Sequence, residues 1–259
     1  MRSHISFSEL KIWNECAYKH KLVYKDKIKE FLGNEYTAFG TAIHYVCERS
    51  VLGEPNKNLD QIFNEKFLEE VKLLKENNVD INHKMISQMR EQSKNIIDYI
   101  IPALKKYFNK YEVISVEENL FVPIEDTDLM FKGFIDLVLK TSDGKYHVID
   151  WKSCSWGWDS RKKADRMITY QLTFYKHFFA EKHNIDPKNI ETHFALLKRT
   201  AKSNNIEIFR VTSGAKKTEN ALNLLSKATY NIINDKHIKN RLSCTAGYGC
   251  DFYKTQYCK

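Results

Sequence analysis

Several features that mark special classes of protein are scarce in this 259-residue chain. Only 9 glycines and 4 prolines are present, which excludes collagen-like and low-complexity chains. The longest apolar stretch, residues 96–104, contains Asp98 and Pro102 and is shorter than the roughly 20 residues that a bilayer span needs. We find no internal repeat, and residues 1–10 lack the apolar core of a secretory signal. These absences predict a cytoplasmic protein that does not enter a membrane.

The residues that are plentiful indicate a folded globular protein with a basic surface. Apolar residues make up 42% of the chain, charged residues 29% and aromatic residues 13%, which is enough for a sizeable core. Lys and Arg number 41 against 33 Asp and Glu, so the formal net charge is +8. This balance favours a polyanionic partner, with nucleic acid ahead of an anionic membrane surface.

The order of periodic segments predicts an α/β or α+β layered fold. Helices are expected at 6–24, 37–51, 59–77 and 84–108, the last with a kink at Pro102. Strands are expected at 113–122, 129–140 and 145–152, then a helix at 168–182, strands at 192–199 and 207–211, and a helix at 218–236. Because no Gly/Ser/Pro-rich linker divides the chain, we predict one domain over 1–259. Its parts are a mainly helical region at 1–110, a sheet-containing core at 111–236 and a cysteine-rich tail at 237–259.

A tight turn between the second and third strands sets their pairing. The loop Ser142-Asp143-Gly144 predicts a three-residue β-hairpin turn, with glycine at the left-handed position. If Thr141 faces Lys145, counting back along both strands places Asp136 directly opposite Asp150. The hairpin therefore predicts a pair of facing carboxylates.

Lys152 shares the face of Asp150 because side chains of a strand alternate between its two sides. The residues around these charges are apolar on both faces: Ile135, Leu137, Val138, Val148, Ile149 and Trp151. Paired carboxylates are unfavourable in such a buried place unless a cation compensates them, and Mg²⁺ prefers oxygen ligands of this kind. The alternative is a structural ion pair of Asp150 with Lys152 on an edge strand.

Four short motifs follow one another along the chain and extend this pattern. They are Gly40-Thr41-Ala42-Ile43-His44, Gly133-Phe134-Ile135-Asp136, Asp150-Trp151-Lys152 and Gln171-Leu172-Thr173-Phe174-Tyr175. They resemble the G-x-x-x-H, G-x-x-D, D-x-K and Q-x-x-x-Y motifs of the PD-(D/E)XK nuclease superfamily, and specifically its RecB-like exonuclease branch. The resemblance extends from Ser6 to Cys258 and is weakest over 59–108. It implies a restriction-endonuclease-like α/β core, a central mixed sheet flanked by helices, with an N-terminal helical elaboration.

The resemblance also implies a metal-dependent active site. His44, Asp136 and Asp150, joined by the backbone carbonyl of Trp151, would bind Mg²⁺ or Mn²⁺. Lys152 would position the attacking water. Considered alone, a histidine on an amphipathic helix is more often a packed residue than a ligand, so the assignment of His44 depends on the motifs that follow it.

Two more residues take their expected role from the same resemblance. Gln171 and Tyr175 lie four residues apart on one helical face and would bind or orient the scissile DNA strand. The alternative for Tyr175 is a core aromatic residue. Glu48, one turn beyond His44, is either a partner of the metal ligands or a surface charge.

The cysteines form a second candidate site. Cys16 lies near the N-terminus and Cys244, Cys250 and Cys258 lie in the tail; in a reducing compartment we do not expect disulfides. The tail spacing, C-x5-C-x7-C, is not the C-x2-C pairing of a zinc ribbon. Members of the RecB-like branch hold a [4Fe–4S] cluster with one cysteine before the core and three after it. The resemblance thus implies that an iron–sulfur cluster joins the tail to the N-terminal helix here. The spacing between the first two tail cysteines, Cys244 and Cys250, is wider than in that arrangement. Zinc and free thiols are the alternatives.

The basic residues complete the functional hypothesis. They cluster at 161–163, 198–199, 216–217 and 236–241, and Trp151, Trp156 and Trp158 lie close to the Asp-x-Lys strand. Basic and aromatic side chains together suit single-stranded DNA or duplex ends. We predict a metal-dependent DNA exonuclease for recombination or repair, and the absence of helicase motifs predicts a helicase or recombination partner. The alternatives are a catalytically idle nucleic-acid-binding accessory module and a redox-sensing cluster protein.

Overall fold

A computed structural model of the chain describes residues 3–28, 31–247 and 249–259. Its strands are β1 His4–Ser6, β2 Tyr111–Pro123, β3 Met130–Thr141, β4 Tyr146–Cys154, β5 Ile190–Lys198 and β6 Ile206–Val211. Its α-helices are α1 Phe7–Glu15, α2 Ala17–His20, α3 Glu35–Val51, α4 Asn56–Glu76, α5 His83–Ile97, α6 Ile100–Phe108, α7 Ser160–Ala164, α8 Arg166–His183 and α9 Ala215–Ile233. Within the described ranges, no helix is both long enough and apolar enough to cross a bilayer.

The chain forms two compact units. The first contains the described residues up to Phe31, together with Leu120–Gly133 and Gly214–Lys259; the second contains Leu32–Asn119 and Phe134–Ser213. In the first unit, β1 pairs in parallel with the start of β3, and α1 contacts α9. The organisation of residues 1–259 as one domain stays a prediction.

The second unit contains a mixed sheet. The later part of β3 pairs antiparallel with β4, β4 pairs in parallel with β5, and β5 pairs antiparallel with β6. One face of this sheet shares a hydrophobic core with α3 to α6, whereas α8 also contacts β4 and β5. A mixed sheet flanked by helices confirms the predicted α/β architecture.

The helix predicted over 84–108 is interrupted earlier than expected. The structure ends α5 at Ile97 and begins α6 at Ile100, so the break precedes Pro102 rather than coinciding with it. In a continuous helix the proline ring would clash with the carbonyl of the residue four positions earlier, Asp98. With the break at 98–99, Pro102 lies in the first turn of α6, where its missing N–H is harmless.

The prediction of one continuous helix over 6–24 is also wrong, since Cys16 separates α1 from α2. Cys16 is extended, with φ −161° and ψ 115°. Hydrogen bonds to the tail compensate for the interruption: Tyr18 N–H donates to Ile238 O at 3.2 Å, and Asn240 Nδ2 donates to Glu15 O at 2.9 Å. Tertiary contacts thus override the local helical pattern.

Candidate active site

The β3–β4 hairpin brings two carboxylates to one place. Gly144, with φ 82°, adopts the left-handed conformation that the turn requires. The observed register pairs residues 137–140 with residues 149–146, which is the register predicted from the turn. Asp136 and Asp150 are the next residues along the two strands, so the same register continued by one step would place them opposite each other.

Both carboxylates lie where water is scarce. Asp150 is 2% exposed, and the Asp136 side chain is 15% exposed. Burial raises the pKa of Asp136 well above its usual range, and the facing charge of Asp150 raises it further. Burial also raises the pKa of Asp150, although Lys152 opposes this shift. Two neighbouring buried carboxylates with raised pKa values form an environment that a divalent cation would stabilise.

Asp150 is the centre of a polar network. Lys152 Nζ lies 2.6 Å from Asp150 Oδ2, and Gln171 Nε2 donates to Asp150 Oδ1 at 2.8 Å. The same amide nitrogen donates to the Tyr175 hydroxyl at 3.0 Å. Burial, followed by the charge of Asp150, raises the pKa of Tyr175, so its hydroxyl stays protonated. The structure therefore brings all these predicted site residues together.

His44 reaches the carboxylates from α3. At Gly40 this helix runs close to β4, since a Cβ there would lie 3.4 Å from Ser153 Oγ. His44 Nδ1 lies 3.7 Å from Asp136 Oδ2, and the imidazole ring forms a hydrogen bond with the backbone of Trp151. Burial, then the charge of Lys152, lowers the pKa of His44 to about 4. The imidazole is therefore neutral near pH 7, the form that binds metals.

The donor set fits a hard divalent cation. It combines carboxylate oxygens of Asp136 and Asp150, the neutral ring of His44 and the main chain at Trp151. Among the described residues, buried Asp150 Oδ2 makes no hydrogen bond of good geometry, and its contact with Lys152 Nζ is an ion pair. The carboxylate and carbonyl oxygens of this set are ligands that suit Mg²⁺ and Mn²⁺.

An acidic residue that the sequence did not suggest lies close to this group. Partial burial raises the pKa of Glu117 on β2, and the charges of Glu48 and Asp150 raise it further. The backbone of Glu117 has φ 50°, a positive value that is unusual for any residue other than glycine. Nothing in the alternation of β2 marks this position, so only the folded structure places Glu117 near the carboxylate pair.

The basic and aromatic residues differ in their exposure. Trp151 is 2% exposed and belongs to the core, whereas Trp156 is 71% exposed. Trp158 packs on Phe194, with ring centroids 5.1 Å apart. Arg161, Lys162 and Lys163 lie on the short helix α7, between the strand predicted at 145–152 and the helix predicted at 168–182. Of the three tryptophans, Trp156 is thus the one whose ring faces solvent broadly.

Two of the predicted DNA-contacting basic residues are buried. Lys198 is 7% exposed and Arg199 is 8% exposed. Arg199 donates to Gln92 at 2.7 Å and to Ser155 at 3.0 Å, and Lys198 pairs with Glu207 at 3.4 Å. These partners are internal, so the prediction of a phosphate-binding surface at 198–199 is wrong. Their apolar neighbours on β5 explain why their charges need partners within the protein.

The candidate cysteine ligands lie in one place in the first unit. Cys16, Cys244, Cys250 and Cys258 all line one small pocket. Asn240 N–H lies 3.3 Å from Cys16 Sγ, a contact that would support a thiolate. The remaining cysteines, Cys47 and Cys154, lie in the second unit; Cys47 is fully buried and Cys154 is partly exposed.

Comparisons with known proteins identify a family and similar solved structures. The family model of the PD-(D/E)XK nuclease superfamily matches residues 4–258. A crystal structure of a candidate exonuclease from Eubacterium rectale is similar to this chain, with a TM-score of 0.60, 12% identity, and coverage of 94% of this chain and 86% of that one. A second solved structure, SSO0001, is 15% identical and covers 94% of this chain and 91% of its own, with a TM-score of 0.38. No curated protein matches the chain.

Proposed function

Because the chain belongs to the PD-(D/E)XK nuclease superfamily, we propose that it is a metal-dependent DNA exonuclease that acts in recombination or repair. Membership implies a nucleic-acid substrate and hydrolysis of a phosphodiester bond. The observation that carries the proposal is the buried pair of Asp136 and Asp150, with Lys152 Nζ 2.6 Å from Asp150 Oδ2. Buried neighbouring carboxylates with raised pKa values are typical of functional sites.

In this proposal, His44, Asp136 and Asp150 bind Mg²⁺ or Mn²⁺ together with the carbonyl of Trp151. When bound, the cation neutralises phosphate charge and lowers the pKa of water. Asp136 also accepts a hydrogen bond from Trp151 N–H at 2.6 Å, which fixes the direction of its carboxylate. Lys152 donates hydrogen bonds to the attacking water and to the charge that develops on the phosphate.

Gln171 and Tyr175 position rather than react. The Gln171 amide joins Asp150 Oδ1 to the Tyr175 hydroxyl, so it orients the carboxylate from the α8 side. The protonated Tyr175 hydroxyl can donate a hydrogen bond to a DNA phosphate. These two side chains therefore link the position of the scissile strand to the position of Asp150.

The proposal extends to a [4Fe–4S] cluster held by Cys16, Cys244, Cys250 and Cys258. The supporting observations are their shared pocket and the interruption of the N-terminal helix at Cys16. A cluster there would connect the tail to the N-terminal helices of the same unit. Hydrolysis transfers no electrons, so the cluster stabilises structure.

The proposed substrate is single-stranded DNA or a duplex end, and a helicase or recombination protein would supply the strands. Exposed Trp156 offers a stacking surface for a base, and Arg161 and Lys162 follow it on α7. The exonuclease mode is also the one named for the Eubacterium rectale neighbour. The alternative is an accessory module that binds DNA without cleaving it.

The test is a cleavage assay with anaerobically purified full-length protein. End-labelled single-stranded and duplex DNA are incubated with the protein and Mg²⁺, Mn²⁺ or EDTA. We expect terminal degradation products in the reactions that contain Mg²⁺ or Mn²⁺ and none in the reaction that contains EDTA. Lys152→Met should reduce the rate by about 10²- to 10³-fold. Lys188→Met is the matched control, because exposed Lys188 ends another Asp-x-Lys triplet outside the site. Folded protein that binds DNA but cleaves it with neither metal would refute the nuclease and support the accessory module.

A further inference from the structure

A second cluster of potential metal ligands lies on the other face of β4. The parallel register places His147 beside Glu191 and Ile149 beside His193. Because side chains alternate along a strand, these odd-numbered residues face away from Asp150. Ligand atoms of His147, Glu191 and His193 all lie within 4.8 Å of one another. His147 is also three residues from Asp150, roughly 10 Å along the strand, so this cluster is separate from the carboxylate site.

The distances between the donor atoms suit one small ion. His147 Nδ1 lies 3.1 Å from His193 Nε2, and Glu191 Oε2 lies 4.0 Å from His147 Nδ1. A tetrahedral zinc ion with Zn–N bonds of about 2.0–2.1 Å would hold its nitrogens about 3.3 Å apart. The two imidazoles are thus already close to the spacing that a shared zinc ion requires.

Hydrogen bonds fix His147 in the tautomer that binds metal through Nδ1. The Thr141 hydroxyl donates to the side-chain oxygen Asp143 Oδ1 at 2.5 Å. The backbone oxygen of Lys145, 3.4 Å from the same hydroxyl, is also an acceptor. Thr141 therefore accepts from His147 Nε2 at 2.8 Å. With its proton on Nε2, the ring presents the Nδ1 lone pair to the cluster. Orientation of a ligand histidine by such a second partner is typical of metal sites.

His193 can reach the matching tautomer. It is 2% exposed, and with His147 Nδ1 unprotonated its Nε2–H donates to that atom at 3.1 Å while no metal is bound. Its Nδ1 makes no hydrogen bond among the residues that the structure describes, so no partner there opposes the move of the proton to Nδ1 when zinc takes its place on Nε2. Burial lowers the pKa of His193 to about 3 and also lowers that of His147, so both rings are neutral.

Glu191 divides its two oxygens between different tasks. Lys145 Nζ and Arg210 bind Oε1 at 3.0 and 3.3 Å, which leaves Oε2 on the side of His147. A pocket of about 340 Å³ adjoins the three residues, and it has room for a water ligand. Lys145 and Arg210 therefore hold the carboxylate in place without occupying its second oxygen.

We propose that His147 Nδ1, His193 Nε2 and Glu191 Oε2 bind a zinc ion, with water as the fourth ligand. Two imidazoles and one carboxylate are a donor set that zinc accepts readily, whereas Mg²⁺ prefers oxygen alone. The ion fastens the N-terminal ends of β4 and β5 to each other. This zinc site is independent of the nuclease proposal and of the cysteine cluster.

The direct test locates the ion in the wild-type protein. Crystals of the full chain are grown with Zn²⁺, and diffraction is measured on both sides of the zinc absorption edge. We expect an anomalous peak about 2.1 Å from His147 Nδ1 and from His193 Nε2. Zinc found only at the cysteines or at Asp136 and Asp150 overturns the proposal.

A solution measurement tests the same assignment. Folded Glu191→Gln and His147→Gln proteins, checked by circular dichroism, are dialysed against buffered Zn²⁺ and compared with His183→Gln, which changes a histidine on α8 outside the cluster. We expect each cluster variant to lose about one bound zinc per chain, while the control retains the wild-type content. Equal zinc content in all four proteins would contradict the assignment.

Discussion

Replacing Asp136 by asparagine should stabilise the metal-free protein while abolishing cleavage. Asparagine keeps an oxygen that can accept the hydrogen bond from Trp151 N–H, which is 2.6 Å long. What disappears is a buried negative charge facing Asp150, the combination that raises the pKa of Asp136. The substitution thus separates what the carboxylate does for function from what it does to stability.

The size of the effect follows from the geometry of the hairpin. Facing side chains on antiparallel strands are about 5 Å apart, and at an effective dielectric constant of about 20 two like charges repel by about 3 kcal/mol. Lys152 offsets part of this repulsion. We therefore expect Asp136→Asn to raise the free energy of unfolding by about 1–2 kcal/mol, or Tm by roughly 2–8 °C.

The effect should depend on pH in a defined direction. In the unfolded chain Asp136 ionises near pH 4, whereas the folded protein holds the proton more tightly. A raised folded-state pKa gives stability that is present at low pH and is lost as the pH rises through that value. The Tm advantage of Asp136→Asn should therefore be greatest at pH 8 and shrink towards pH 5.

Thermal unfolding followed by circular dichroism in EDTA measures these differences. Asp143→Asn is the control on the same hairpin: hydrogen bonds from the Thr141 hydroxyl and the Lys145 N–H lower the pKa of Asp143, so its loss should lower Tm. Added Mg²⁺ should stabilise the wild type more than Asp136→Asn. An Asp136→Asn protein that has a native spectrum but an unchanged or lower Tm at pH 8 would refute the reasoning.

Three further substitutions test other parts of the site. Tyr175→Phe removes the acceptor of the Gln171 hydrogen bond and should slow DNA cleavage about tenfold in single-turnover assays; an unchanged rate contradicts the positioning role. Cys250→Ser should lower iron per chain, measured by absorption spectroscopy and metal analysis, and full iron content would exclude Cys250 as a ligand. Trp156→Ala should weaken single-stranded DNA binding by about 1–3 kcal/mol in fluorescence anisotropy, and equal affinity would show that no base stacks there.

The facing carboxylates could be predicted because every determinant is local. A three-residue turn with Gly144 at φ 82° fixes the register of β3 and β4, and alternation then places Asp136 opposite Asp150. The same argument places Lys152 beside Asp150. No long-range information is needed, so the sequence alone predicts this part of the site.

The interruption at Cys16 and the position of Glu117 are different. The break between α1 and α2 is compensated by bonds from the chain near Ile238 and Asn240, more than two hundred residues away. Glu117 enters the carboxylate group through a left-handed backbone within β2, which alternation does not reveal. Helical and strand periodicity report local preference, and in both places tertiary contacts decide the conformation.

The proposed zinc site was equally hidden, for a topological reason. A short turn fixes the register of β3 with β4, but β4 and β5 are parallel and joined through α7 and α8, so no turn geometry sets their alignment. A shift of one residue in β5 would turn Glu191 and His193 to the opposite face. The observed register places nitrogen donors on one face of β4 while Asp150 lies on the other. If each proposed site binds the metal that its donors favour, the alternation of side chains along one strand would place two different metals at two separate sites.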